Sequence, residues 1–246
     1  MRIAVLAVFL AALFGMQPGA AFACDMPSGA STRVTRVEAM TLTLDDGQLL
    51  LPGTIIAAPI PAENIDPLAS VQGAMVRFVP EDDTLDRHGR LVAQIFVARD
   101  GLDVWLQDDL VRSGAALVMP RRDSEACAVE LLEAEEAARL AQLGVWASPF
   151  ILPADAVEGA VGRHAIVEGT ITDTFVRSEG AFLDFGEDWR TDFSVFIARG
   201  DMKRFGALLD DVRALQGRRV RVRGFVGERA GPQMRLSSPH ALALLP

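Results

Sequence analysis

The chain has 246 residues, of which 50% are hydrophobic, and it carries a formal net charge of −9 at pH 7. This length suits one large domain or two small ones. A protein that grips nucleic acid without sequence preference normally presents a basic surface. The acidic whole-chain charge therefore argues against that class, unless a local basic patch overrides it.

The chain begins like an exported protein. A basic residue and an apolar run are followed by Ala21-Phe22-Ala23, the A-x-A pattern of a signal-peptide cleavage site. We therefore expect residues 1–23 to be removed and the mature protein to be exported to the periplasm. Cys24 then becomes the N-terminus, which leaves open a lipid anchor on this cysteine. No later segment is long and apolar enough to predict a membrane span.

Cys24 and Cys127 are the only cysteines in the chain. In an oxidising compartment two cysteines suggest one disulfide bond, and no C-x-x-C motif indicates a redox role for it. The expected bond is therefore a structural one that closes a loop of about 100 residues. If Cys24 is lipidated instead, Cys127 is expected to be a buried free thiol.

The first half of the mature chain shows the two-residue alternation that is typical of β-strands. Strands are expected over residues 33–44, 48–60, 74–80 and 91–99, with Asp45–Gly47 as a hairpin turn. Two amphipathic helices should follow, the first over residues 103–114 and the second from Asp123 or Ser124 to Gly144.

A stretch with two prolines, residues 148–162, indicates a linker, and a second β-pattern follows it. This pattern contains three strands, one helix over residues 201–215, and two last strands. The order fits the small, partly open barrel called the OB-fold, and the first half has the same order with two further helices. The sequence therefore predicts an α+β protein, mainly β, with tandem OB-fold barrels at residues 33–147 and 163–246.

Two stretches of the first predicted domain stand out: "DRHGRLVAQIFVARDGLDVWLQDDLVRSGAALV" from Asp86 and "CAVELLEAEEAARLAQLGVWA" from Cys127. With them, this domain resembles the thermonuclease (staphylococcal nuclease-like) family. Several elements match the family pattern in the correct order. The region after Pro149 resembles a second OB-like domain that is appended to some bacterial members.

The resemblance implies a chemistry for active members, which are calcium-dependent phosphodiesterases. Carboxylates hold the calcium ion, which polarises the phosphate, and a glutamate positions or deprotonates the attacking water. Two arginines neutralise the charge that develops on the phosphoryl oxygens, a role that a bidentate guanidinium suits best.

In this chain, four of those five groups are replaced by apolar residues. The two calcium aspartates of the family fall on Met40 and Ala57, and its glutamate falls on Ile60. The first arginine falls on Leu51 or Pro52. Only the second arginine is kept, as Arg90. The comparison therefore predicts a degenerate active site, with Arg90 as a vestige and no cofactor, because calcium would be needed only if nuclease activity persisted.

The remaining acidic residues do not indicate a metal site. The glutamates of the second predicted helix are expected to form a solvated face, because no histidine stands at a compatible spacing: Glu133, Glu135 and Glu136. Glu38, Glu63 and Asp66 lie near the degenerate site and could only in principle be recruited to replace the lost carboxylates.

A basic strand in the second predicted domain offers a candidate binding surface. In "GRRVRVRG", Arg219, Arg221 and Arg223 alternate with valine and should share one face of a strand. OB-folds bind single-stranded nucleic acid with such a face together with aromatic platforms, and Trp189 is available nearby. The alternative is that the valines fill the barrel while the arginines are solvated and pair with aspartates.

The sequence is therefore compatible with three functions. The first is an exported nuclease-like protein that has lost phosphodiesterase activity and acts as a binding or structural module, with an unidentified protein or polyanion as its partner. The second is an active calcium-dependent extracytoplasmic nuclease. The third is a non-catalytic protein that binds single-stranded nucleic acid through the second domain.

Overall fold

The computed structural model of the protein describes residues 31–59, 67–188 and 190–246. The predicted signal peptide and Cys24 lie outside these residues, as do Ile60 and Trp189. None of the helices within the described ranges has both the length and the apolar character needed to cross a membrane.

The described residues of the first half form eight strands and two helices. The strands are β1 (Thr32–Glu38), β2 (Thr41–Leu44), β3 (Leu49–Pro52), β4 (Ile55–Ala57), β5 (Met75–Leu85), β6 (Arg90–Arg99), β7 (Leu102–Trp105) and β8 (Ala116–Val118). The helices are α1 (Leu106–Arg112) and α2 (Ala128–Leu140). Short 3-10 turns occur at Ala69–Val71 and Gly144–Ala147.

Six of these strands form one sheet in the order β3-β2-β1-β5-β6-β7. Strand β3 also pairs in parallel with β6, so the path of strand pairing returns on itself. Strands β4 and β8 form a separate antiparallel pair. The strand pairing is observed, whereas the barrel predicted for this half stays a prediction.

The predicted helix over residues 103–114 begins later than expected. Residues Leu102–Trp105 pair as an antiparallel strand with β6, and Phe96 lies opposite Trp105. Because the backbone N–H and C=O groups of these residues form hydrogen bonds with β6, α1 starts only at Leu106. Its buried side chains then include Leu106, Leu110 and Val111, as the apolar spacing predicts.

The second half is also mostly β. Its strands are β9 (Leu152–Pro153), β10 (His164–Thr170), β11 (Asp173–Val176), β12 (Gly180–Asp184), β13 (Ser194–Ala198), β14 (Arg219–Glu228), β15 (Pro232–Leu236) and β16 (Leu242–Leu244). A short helix, α3, covers Arg199–Met202. With three helices among the described residues, the protein is mostly β with some α, as predicted.

The sheet of the second half has the strand order β11-β12-β13-β15-β14-β10-β9, with β16 added to β14. The prediction of one long helix over residues 201–215 is wrong. One turn of α-helix is followed by 3-10 segments at Lys203–Leu208 and Val212–Leu215. The helical path is broken at Gly206, whose φ of 49° and ψ of −136° are not helical.

The two halves are packed against each other. Each has its own buried core, and a third apolar cluster joins residues such as Leu117, Ala138 and Trp146 of the first half to Ile166 of β10. The proline-containing stretch expected to be a linker contributes to this packing, because β9 pairs in parallel with β10.

Candidate functional site

The positions at which the resemblance predicts replacement of the catalytic groups are occupied by packing residues. Met40 lies in the turn between β1 and β2, is 9% exposed and belongs to the core of the first half. Leu51 of β3 and Ala57 of β4 are partly buried and pack against the same core. These side chains offer no oxygen ligand and no positive charge to a phosphate.

Arg90 is held in place by a local ion pair. Its Nε and Nη2 atoms donate to Oδ2 of Asp86 at 2.8 and 2.7 Å. Its Nη1 atom donates to the hydroxyl of Thr41 at 3.3 Å. The other oxygen of Asp86 accepts hydrogen bonds from the backbone N–H groups of His88 and Arg90 at 2.8 and 3.0 Å. The guanidinium thus helps to close the turn that leads into β6.

The pKa of Asp86 reflects this arrangement. Burial raises the pKa, but hydrogen bonds from the Arg90 side chain and from the backbone of Arg90 and His88 outweigh burial and lower it to about 2. The carboxylate is therefore ionised near neutral pH and stays paired with Arg90. A phosphate that approached Arg90 would have to compete with this carboxylate.

This ion pair should give the protein a stability that depends on pH. Because the pKa of Asp86 falls from 3.8 to about 2 on folding, its contribution is present above pH 4 and is lost as the pH falls through about 2. We expect Asp86→Asn to destabilise the protein near neutral pH, with a difference from wild type that shrinks towards pH 2. Urea denaturation at several pH values measures this. The exposed Asp83→Asn is the control, and a difference for Asp86→Asn that stays constant with pH would contradict the assignment.

Within the part of the chain that the structure describes, the oxygen atoms around Arg90 do not form a calcium site. A protein calcium site normally supplies six to eight oxygen ligands. Across the described ranges, no group of three or more histidine, cysteine, aspartate or glutamate side chains is arranged to hold a metal ion. Glu38 is exposed and paired with Arg36 at 2.6 Å. Glu63 and Asp66 lie outside the described residues.

A buried polar network, which the sequence reasoning missed, lies in the same half. Oε1 of Glu81 accepts hydrogen bonds from Gln94 at 2.6 Å and from Thr54 at 3.2 Å. Burial raises the pKa of this carboxyl group, although those hydrogen bonds oppose the effect. A Cβ atom on Gly53 would lie 1.7 Å from Oε1, so a larger residue at this position would have to displace the Glu81 carboxylate. These contacts indicate a structural role for Glu81.

The three arginines of β14 do share one strand face, opposite the buried Val220 and Val222. Arg219 and Arg221 each reach the carboxylate of Glu168 at 2.7 Å. Arg221 also lies 3.5 Å from the carboxylate of Glu136, so two carboxylates oppose these two guanidinium groups. The predicted nucleic-acid role stays a prediction, and an incoming phosphate would have to compete with these carboxylates.

Arg223 is buried between the two halves. Its side chain is 6% exposed, and its Nη1 atom donates to Oε2 of Glu135 on α2 at 2.5 Å and to the carbonyl oxygen of Val118 at 2.9 Å. The other oxygen of Glu135 accepts from the backbone N–H of Val118 at 2.8 Å. The prediction of a solvated face is therefore wrong for Glu135, because α2 packs against the second half there, whereas Glu133 is exposed as expected.

A groove that was not predicted from the sequence lies on the sheet of the second half. We call it the phenylalanine groove. It has a volume of about 220 Å³, and its lining includes Phe175, Phe182, Phe196, Asp184 and Arg229. These residues lie far apart in the sequence, and only the pairing of strands β11, β12, β13 and β15 brings them together.

Comparison with known proteins identifies part of the first half. The family model described as "Staphylococcal nuclease homologue" matches residues 69–148. The match contains Arg90 and helix α2, but not Met40, Leu51 or Ala57. No curated protein matches the chain. Residues 69–148 are thus similar to a staphylococcal nuclease-like domain, which suggests a function related to nucleases.

Proposed function

We propose that the chain is an exported binding or structural protein whose nuclease-like domain no longer cleaves phosphodiesters. The observation that carries this proposal is the state of Arg90, which is paired with Asp86 and has only apolar residues at the aligned positions Met40, Leu51 and Ala57. The tandem OB-fold architecture and export to the periplasm are parts of the same proposal.

The size of the missing catalytic contributions supports an inactive domain. Loss of a general base alone costs roughly 10²–10⁴ in rate. Loss of the metal also removes the Lewis acid that polarises the phosphate. A single arginine that is already neutralised by a carboxylate cannot replace either contribution.

A cleavage assay tests this proposal. The mature protein is incubated with single-stranded DNA and with RNA, in calcium and in chelator. We expect no calcium-dependent cleavage above the buffer control, and no difference between wild type and Arg90→Ala. Arg87→Ala, in the exposed part of the same turn, is the matched control. Cleavage that requires calcium and is lost in Arg90→Ala but kept in Arg87→Ala would overturn the proposal.

An active nuclease remains the alternative that the match to residues 69–148 favours. It would need carboxylates recruited from other positions, such as Glu63 or Asp66. A binding measurement in the same samples distinguishes the third function, binding of single-stranded nucleic acid, from the other two. Binding without cleavage that weakens when Arg219 and Arg221 are replaced would support it.

A further inference from the structure

The phenylalanine groove is built on one row of aligned residues. Phe175 lies opposite Phe182 on the neighbouring strand, and Phe182 lies opposite Phe196 on the next. Each adjacent pair of ring centroids is 4.9 Å apart. The residues between them in sequence, such as Leu183 and Val195, point to the core, so the three rings stand on the outer face of the sheet.

The faces of these rings are already covered. The planes of Phe175 and Phe182 differ by 14°, and those of Phe182 and Phe196 by 38°. Guanidinium groups cover the two ends of the row, with Arg177 4.9 Å from the centroid of Phe175 and Arg235 6.0 Å from that of Phe196. The ring edges are therefore left as the apolar surface, which suits an apolar group or the face of another ring. Stacking of nucleic-acid bases needs free ring faces, which this row does not offer.

Asp184 is a buried carboxylate of the groove that lacks a hydrogen-bond donor. The residue is 6% exposed, and its side chain makes no hydrogen bond or ion pair with any described residue. Burial raises its pKa, and the exposed Asp173 on the opposite strand adds to this effect, while Arg177 opposes it. The carboxylate lines the groove, so a ligand that supplies N–H groups can add hydrogen bonds that the described residues do not provide.

Arg229 supplies the opposite charge. It lies at the end of the β14–β15 hairpin, is exposed, and makes no ion pair within the described part of the chain. Its charge interacts electrostatically with that of the exposed Glu179, which also lines the groove. An exposed arginine by itself does not indicate a binding site. Here it lines the same small groove as Asp184, and the two unlike charges do not pair with each other.

We propose that the phenylalanine groove binds a small zwitterion, an α-amino acid with an apolar side chain. The ammonium group of the ligand donates to Asp184, its carboxylate accepts from Arg229, and its side chain packs on the edges of the three rings. The groove volume of about 220 Å³ is below the roughly 300–1,000 Å³ of sites for drug-sized ligands. A ligand of the size of one amino acid suits this volume. The inference goes beyond the proposed function, because it does not depend on the nuclease-like half.

Calorimetric titration of the full mature protein with L-phenylalanine and L-leucine tests the inference. Two incomplete ligands isolate the charges: phenethylamine lacks the carboxylate, and 3-phenylpropionate lacks the ammonium group. We expect each incomplete ligand to bind at least about tenfold more weakly than L-phenylalanine, because each loses one charge-assisted contact.

Variants assign the contacts. Asp184→Asn should remove the preference for L-phenylalanine over 3-phenylpropionate, and Arg229→Met should remove the preference over phenethylamine. The exposed Asp210→Asn and Arg218→Met are the controls and should leave both preferences unchanged. Thermal unfolding verifies that Asp184→Asn is folded.

Three results would overturn the inference. The first is that neither amino acid binds at millimolar concentration, and the second is that the affinities do not change in the folded Asp184→Asn variant. The third is that a single-stranded oligonucleotide binds more tightly than L-phenylalanine and is not displaced by it. None of them bears on the cleavage assay, so the failure of the inference and the failure of the proposed function are distinguishable.

Discussion

Replacement of Glu135 by alanine is expected to lower the free energy of unfolding by about 3–5 kcal/mol, because it leaves a buried charge without its partner. Arg223, which is 6% exposed in the wild type, would keep the carbonyl oxygen of Val118 but lose its carboxylate partner, and the backbone N–H of Val118 would lose its acceptor. Urea denaturation of wild type and variant, followed by tryptophan fluorescence, measures the difference.

Two further variants show whether the ion pair between the halves is the cause. Glu133→Ala, on the exposed face of the same helix, should change the free energy of unfolding by no more than about 0.5 kcal/mol. The double replacement Glu135→Leu with Arg223→Met should recover much of the loss, since buried pairs can often be exchanged for apolar residues of similar size. A loss for Glu135→Ala no greater than that for Glu133→Ala would contradict the packing of α2 on β14.

Reduction of the mature protein is expected to lower the free energy of unfolding by about 4–5 kcal/mol, if Cys24 and Cys127 are joined. The physical reason is that a bond closing a loop of about 100 residues restricts the unfolded chain much more than the folded one. Denaturation with and without reductant measures the effect. Cys127 precedes α2 directly, with a backbone φ of 57°.

Intact mass distinguishes the disulfide from the lipidated alternative. A disulfide predicts a gain of about 2 Da on reduction, whereas a lipid anchor on Cys24 predicts a much larger mass that reductant does not change. Cys127→Ser is the matched variant, and its stability should no longer respond to reductant. A mass that is unchanged by reduction and free of added acyl groups would contradict both expectations.

Alternation along β14 identified correctly which side chains share a face, and strand periodicity is a local property that the sequence carries. What lies against that face is decided by residues more than 80 positions away, such as Glu135 opposite Arg223. The glutamate was expected in solvent because helix content and spacing describe one helix alone. Burial of its charge follows from the second half packing on α2.

The Arg90 turn and the phenylalanine groove differ in the same way. The turn that holds Arg90 is local: Asp86, Gly89 and Arg90 are neighbours in sequence, so the motif could be recognised without a structure. The phenylalanine groove draws Phe175, Asp184 and Arg229 from three separate strands and turns. The alternation within each strand indicates only that its phenylalanine lies on the outer face of the sheet. The register between the strands, which places the three rings side by side, is not encoded in any one strand.

By itself, the sequence determined the β-rich pattern with α2, the nuclease-like stretch that the family model matches, and the apolar residues at the aligned catalytic positions. These features depend on local periodicity and on residue chemistry, which each segment carries alone. Only the tertiary structure decided that Arg223 is buried on Glu135, that helix 201–215 breaks at Gly206, and that Asp184 and Arg229 line one groove. The physical reason is that burial, strand register and charge pairing are set by contacts between distant segments.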